Sequence, residues 1–269
     1  MRTPLTALVI TYNEMHCIER CIASISFADE IIVVDSFSTD GTYEYLLTHP
    51  KVKVVQRPFE NFTRQKSFAL SKATHNWVLF VDADEEITAP LQTEIKSTLQ
   101  HNTSCVAYWF RRKFMFCGKP LHFSGWQTDK NYRLFRKDKV QFSEKRMVHE
   151  TLEINGKSGI LKEKLIHYCY RDYDNYKSKM RHYGQLKAKE YCMLDKKFNY
   201  MQLILKPFWK FTYNYVVRLG FLDGRKGITI CYLGALEVIV RYAELRKLET
   251  RNQRQAYYYS ANKKSVLAE

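Results

Sequence analysis

The strongest constraint on this chain is a pattern that recurs in its first hundred residues: an unbroken apolar run that ends on a carboxylate. EIIVVD at 30–35 and WVLFVD at 77–82 are the clearest copies, and residues 5–12 form a similar β-prone run. A strand without polar alternation leaves no face for water, so it is expected in a parallel sheet covered on both sides. The segments between these runs read as helices. Ile18, Ile22 and Ile25 are spaced i, i+4, i+7, and Asn13 is placed to cap a helix from Glu14. A turn at 36–41, a short helix at 42–47, a third strand at 51–56 and a helix at 63–72 continue the alternation. The fold class is therefore α/β, with a mainly parallel sheet. Ligands of such sheets bind at the carboxyl ends of the strands. Thr11, Asp35 and Asp82 stand at those ends.

From about residue 105 the pattern changes. Short aromatic strands (CVAYWFRR, NYRLFRK, KLIHYCY) alternate with polar turns and predict a mixed sheet. Residues 171 to about 247 read as helical, although Pro207 is expected to interrupt any helix it enters. The polar tail, 249–269, is expected to fray.

Residues 82–86 read DADEE. Four acids in five positions repel one another, and their place at the end of an apolar strand favours a cation there. Asp82 and Asp84, on alternate residues, can aim at one ion. Hard oxygen ligands suit Mg²⁺ or Mn²⁺, which also hold phosphate oxygens. A solvated helix N-terminus is the plainer alternative, because acids are common there.

Several segments, in order, make this chain resemble the inverting glycosyltransferases of family 2, which have the nucleotide-sugar-binding GT-A fold. They are VITYNE at 9–14, IVVDSFSTDGT at 32–42, RQK at 64–66 and LFVDAD at 79–84. GWQTD at 125–129, RLFR at 133–136, VHE at 148–150, HY at 167–168 and RLGFLDG at 218–224 are similar to the subgroup of lipopolysaccharide-core β-1,4-glucosyltransferases. That subgroup usually carries Pro where this chain has Thr128, a departure on the acceptor side. The resemblance implies a GT-A domain over 1–170, with a nucleotide-binding half (1–100) and an acceptor-side half (101–170). A basic helical region (171–248) and the tail would follow.

The resemblance also implies roles. Thr11, Asn13, Glu14 and Asp35 would contact the uridine; the plainer alternatives are a helix cap for Asn13 and a helix or turn cap for Asp35. Arg64 and Lys66 would put positive charge near the nucleotide, or merely form an exposed basic face. Asp82 would lie near ribose and metal, and Asp84 would ligate the metal. Arg133 would meet pyrophosphate or an anionic acceptor, or form an ion pair. His167 would complete the metal shell or be a core histidine; His149 is a weaker candidate. Glu150 is ranked first and Asp129 second as the base that deprotonates the acceptor hydroxyl. An α-linked UDP-sugar would then give a β product by single displacement.

Charge divides the chain. Residues 1–100 hold 9 Lys/Arg and 13 Asp/Glu, whereas 101–269 hold 34 and 15. Aromatics and aliphatics mix with Lys206, Lys210 and Arg218, a composition suited to a helix lying in a membrane interface. The expected partners are a UDP-sugar donor, a lipid-linked glycan acceptor and an anionic membrane surface. A nucleic-acid groove is the competing use of such charge, but no recognition motif supports it and none is expected to bind. Seven cysteines without zinc-site spacing suit free thiols in a reducing cytoplasm. No signal peptide or spanning helix is read. The expected location is cytoplasmic, peripheral on the inner face of the bacterial inner membrane.

Overall fold

The structure is a computed structural model that describes residues 3–101, 104–126, 130–143, 151–170 and 172–266, without the side chains of Thr151, Cys169, Tyr170 and residues 252–266. The chain divides into two compact units. The first comprises Met1–Pro120 and Trp126–Cys169, the second Leu121–Gly125 and Tyr170–Glu269.

In the first unit, β1 (Leu5–Thr11), β2 (Glu30–Asp35), β3 (Val52–Gln56) and β4 (Trp77–Asp82) alternate with α1 (Met15–Ile25), α2 (Thr42–Leu47) and α3 (Phe62–Lys72). β5 (Glu85–Glu86), α4 (Ala89–Gln100), β6 (Cys105–Phe116), β7 (Lys119–Pro120), β8 (Lys130–Arg136), β9 (Val140–Ser143), β10 (Thr151–Ile154) and β11 (Lys157–Tyr170) follow. The sheet order is β3-β2-β1-β4-β8-β6-β11-β5, with β7 on β6 and a separate β9–β10 pair. β1 through β4 are parallel, and β8 joins β4 and β6 antiparallel. The mixed half is thus added to the edge of a parallel sheet.

Side chains on a strand alternate between faces, and both faces here are apolar. Ala7, Val9, Ile31, Val33, Leu79 and Val81 pack with Ile18, Ile22 and Ile25 of α1 and with Leu91 and Ile95 of α4. Their neighbours Leu8, Ile32, Val34, Val78 and Phe80 pack with Ala69 and Leu70 of α3. Each such side chain contributes about 1.5–3 kcal/mol on burial, which is why these strands carry no polar alternation.

The second unit is helical: α5 (Tyr173–Met193), α6 (Tyr200–Thr212) and α7 (Arg225–Val266). Ala188, Val238, Tyr242 and Leu245 form a core with Leu203 and Phe198 beside it. A Cβ on Gly184 would lie 2.7 Å from Glu237 O, so this glycine lets α5 and α7 approach closely. Two expectations fail here. Pro207 lies inside α6 without ending it; the helix tolerates one missing N–H and widens into a π turn at Tyr213–Val217. The tail does not fray at 249, because α7 stays helical through Val266. Among the described residues no helix is long and apolar enough to cross a membrane.

Candidate active site

Strand register builds the site. Thr11 pairs with Asp35, and Ile10 with Asp82, so the polar ends of β1, β2 and β4 share one edge. The chain then turns at Asp84 into β5, where Glu85 pairs with His167 and Glu86 with Ile166 of β11. Asp84 O accepts from Tyr168 N at 2.8 Å, and His167 Nε2 stands 3.2 Å from Asp84 Oδ2. A residue from the far end of the domain is thereby delivered to the acidic turn.

The acids there take different partners. Asp82 is bound by Arg133, and Lys66 Nζ lies 3.6 Å from its other oxygen. Burial opposes its ionisation, but Arg133 and then Lys66 prevail and hold it well below the usual carboxylate range. Glu85, 1% exposed, accepts from Asp82 N at 3.1 Å, from Arg133 at 2.6 Å and from Arg112 at 3.5 Å. Burial lowers the His167 pKa, but Asp84 and then Glu85 outweigh it, and the net shift is upward. Phe114 walls the imidazole at 5.2 Å between ring centres, and Trp126 packs on Phe114 at 4.4 Å.

At the other end of the edge, two loops lock together. Asn13, at φ 55°, donates its N–H to Ser38 Oγ (2.9 Å) and accepts Thr39 N–H on its side chain (2.8 Å). Glu14 N donates to Thr42 Oγ1, and Met15 N to Asp40 Oδ2 at 3.0 Å. Asp35 is fully buried, its carboxylate accepting from Ser38 and from Gln56 Nε2. Beside this turn the Thr11 hydroxyl and Gln65 Oε1 are buried without a partner. Unsatisfied polar atoms at the mouth of a parallel sheet mark a place where a polar ligand restores hydrogen bonds.

Residues 6–168 match the profile described as Glycosyl transferase family 2. The chain belongs to glycosyl transferase family 2. A glycosyltransferase of Rickettsia felis is 31% identical over 263 residues, covering 92% of each chain. The lipopolysaccharide core biosynthesis glycosyltransferase LpsC of Rhizobium meliloti is 26% identical over 254 residues, covering 90% of this chain and 94% of its own. The mannosyltransferase PcManGT of Pyrobaculum calidifontis, solved with GDP-Man and Mn²⁺, superposes with a TM-score of 0.52 at 15% identity, covering 91% and 87%. The fold of this glycosyltransferase is thus GT-A, with the C-terminal helices appended.

The geometry sorts the residues expected from sequence. Asp82, Asp84, Lys66, Arg133 and His167 come together; Thr11 and Asp35 end the neighbouring strands, and Asn13 and Glu14 follow Thr11 in the turn before α1. Arg133 is no surface ion pair, since it is 3% exposed. Lys66 is buried, not part of an exposed basic face. Arg64 is half-exposed and paired with Glu60 one turn earlier. Asn13 does not cap α1; the carboxylate reaching that helix start is Asp40. Glu150, Asp129 and His149 lie outside the described residues. Arg112 was not anticipated. It sits on β6 among many cations, and only the sheet order β6-β11-β5 reveals that it reaches Glu85 and His167.

The donor set fits a hard divalent cation. Asp84 and His167 offer a carboxylate oxygen and an imidazole nitrogen 3.2 Å apart, both partly accessible. Asp82 is already neutralised by two cations, which leaves Asp84 and His167 as the pair best placed to bind the ion.

Proposed function

We propose that this glycosyltransferase moves a hexose, glucose from UDP-glucose, onto a lipopolysaccharide-core or related cell-envelope glycan, by single displacement with inversion. The Asp84–His167 pair at the carboxyl edge of the sheet, beside Arg133 and Lys66, carries the reading. Mg²⁺ or Mn²⁺ would be held by Asp84 and His167 with Asp82, and when bound supplies charge neutralisation for the leaving diphosphate. Arg133 and Lys66 fix Asp82 in its ionised form and add positive charge beside it. Thr11, Asn13 and Glu14 serve the uridine, and Asp35 acts through the Ser38 turn it holds. Arg64, on the rim, is the remaining cation for the nucleotide. A carboxylate takes the proton of the acceptor hydroxyl as the oxygen attacks the anomeric carbon; Glu150 is assigned this role ahead of Asp129.

Two similarities support the reading. LpsC, alike over most of its length, is named for lipopolysaccharide core biosynthesis. The Pyrobaculum enzyme of the same fold holds a nucleotide sugar and Mn²⁺. A lipid-linked acceptor would put the enzyme on the cytoplasmic face of the bacterial inner membrane, as a peripheral protein. Transfer to O-antigen, capsule or another lipid-linked sugar from a different donor is the second reading, favoured by Thr128 in place of the subgroup's Pro.

The test is a donor screen with Mg²⁺ or Mn²⁺, following UDP release with truncated lipopolysaccharide acceptors. UDP-glucose is expected to be the preferred donor, and Asp84→Asn to cut turnover by about a hundredfold or more. Undiminished activity in Asp84→Asn would overturn the metal assignment. Full activity in Glu150→Gln would move the base to Asp129.

A further inference from the structure

α6 is turned inside out. Leu203 packs against the helical core and Pro207 is buried, whereas Met201, Ile204, Phe208 and Trp209 are 65, 68, 68 and 64% exposed. These four recur at i, i+3, i+7 and i+8, one stripe along the helix. Beyond it in the chain, Val216, Val217, Phe221 and Leu222 are exposed as well. Contiguous exposed apolar surface of this kind marks an interaction face.

The charges around it are of one sign. Residues 199–222 contain Lys206, Lys210 and Arg218 and no acid. Lys206 folds back onto the Tyr242 hydroxyl at 2.5 Å, and Lys210 shares the side of α6 with Pro207 and lies near Glu237; Arg225, beyond the stripe, is exposed. The next acid, Asp223, is buried, with its two oxygens bound to the N–H groups of His122 and Phe123. A second copy of this face would bring cation against cation, so self-association is disfavoured. An anionic lipid surface complements both properties, because it accepts apolar side chains and attracts Lys and Arg.

We infer that the outer face of α6, continued by Phe221 and Leu222, is a membrane-docking surface that lies in the headgroup region of an anionic phospholipid bilayer. Its length decides between lying and spanning. Thirteen residues extend about 20 Å, short of a hydrocarbon core about 30 Å thick. Trp209 and Tyr200 supply the amphipathic rings favoured at that depth. The inference gives the lipid-linked acceptor reading its partner surface and rests on that reading only for its purpose.

The test is sedimentation of the full chain with vesicles of phosphatidylethanolamine and phosphatidylglycerol, without donor or acceptor. The wild type is expected to co-sediment, and to bind phosphatidylcholine vesicles more weakly. Ile204→Asp with Phe208→Asp should lower binding by about tenfold or more, with an unchanged unfolding temperature and unchanged transfer to a soluble truncated acceptor. Equal sedimentation of wild type and variant would overturn the proposal. So would a wild type that ignores vesicles but is a dimer that the variant splits. Vesicle binding without detectable transfer would leave this surface standing and remove the acceptor reading. Transfer to soluble acceptor without vesicle binding would do the reverse.

Discussion

Arg133 joins Asp82 and Glu85 from a position that is 3% exposed. Removing one member of a buried ionic group leaves the others unpaired, which costs about 3–5 kcal/mol. Arg133→Met is therefore expected to lower the unfolding free energy by that order, measured by urea titration without donor. Arg133→Lys should recover part of it, since one ammonium replaces the charge but not the fork that reaches both acids. Glu30 gives a pH prediction. Burial raises its pKa, but Lys53, the Thr74 N–H and hydroxyl and the Thr6 hydroxyl overrule it and hold it at about 2. A lowered folded pKa stabilises the protein above the unfolded value near 4.5 and loses that stability as pH falls toward 2. The contribution is on the order of 2 kcal/mol, since the exposed Lys53 partner is screened. Glu30→Gln should be less stable than wild type at neutral pH, and the two should converge in acid. At this scale the acids of 82–86 were legible in sequence as groups that need positive partners, because they repel one another, and Arg133, Lys66 and Arg112 supply that charge. Which acid takes which partner was not: Arg133 lies 51 residues beyond Asp82, and His167 83 beyond Asp84.

The strands Glu30–Asp35 and Trp77–Asp82 and the helix Thr42–Leu47 have the bounds that their sequence pattern suggests. An apolar run between polar stops has one way to be buried on both faces. Connections that bridge distant elements carry no such local signal. The cap of α1 is a carboxylate 25 residues away, so the nearer Asn13 was the natural but mistaken choice. The RLGFLDG segment likewise has its meaning elsewhere in the chain. Asp223 grips the backbone of residues 122 and 123, Ser124 N donates to Arg218 O, and a Cβ on Gly220 would strike Ser124, Asn214 and Cys231 within 3 Å. The segment is thus a clasp on Leu121–Gly125. Asp223→Asn keeps the shape but turns an amide donor against one of two N–H groups. The expected cost is about 1–3 kcal/mol for the orphaned donors, read by denaturant unfolding. Faster amide exchange at residues 122 and 123 should accompany it; unchanged exchange there would show that the clasp is not held by this carboxylate.

Across the whole molecule, the charge asymmetry predicted two jobs, and the change of texture after residue 170 predicted a second region. What composition had no means to show is that the second unit also claims Leu121–Gly125, a stretch flanked on both sides by residues of the first. The family profile ends at residue 168, which suggests that a chain cut after Cys169 would be a sufficient transferase. The clasp argues otherwise. In the truncated chain the N–H groups of His122 and Phe123 lose their carboxylate, and Ser124 N loses the Arg218 carbonyl. Those groups lie only a few residues before Trp126, whose ring packs on the Phe114 that walls His167. Residues 1–169 alone are therefore expected to show weakened tertiary packing around Trp126, visible as altered near-ultraviolet dichroism. The UDP release proposed above should fall at least about tenfold. Adding residues 170–269 as a separate chain should restore part of that activity, because the lost contacts are non-covalent. A truncated chain with undiminished UDP release and native dichroism would show that the helical unit holds Leu121–Gly125 without any consequence for the site.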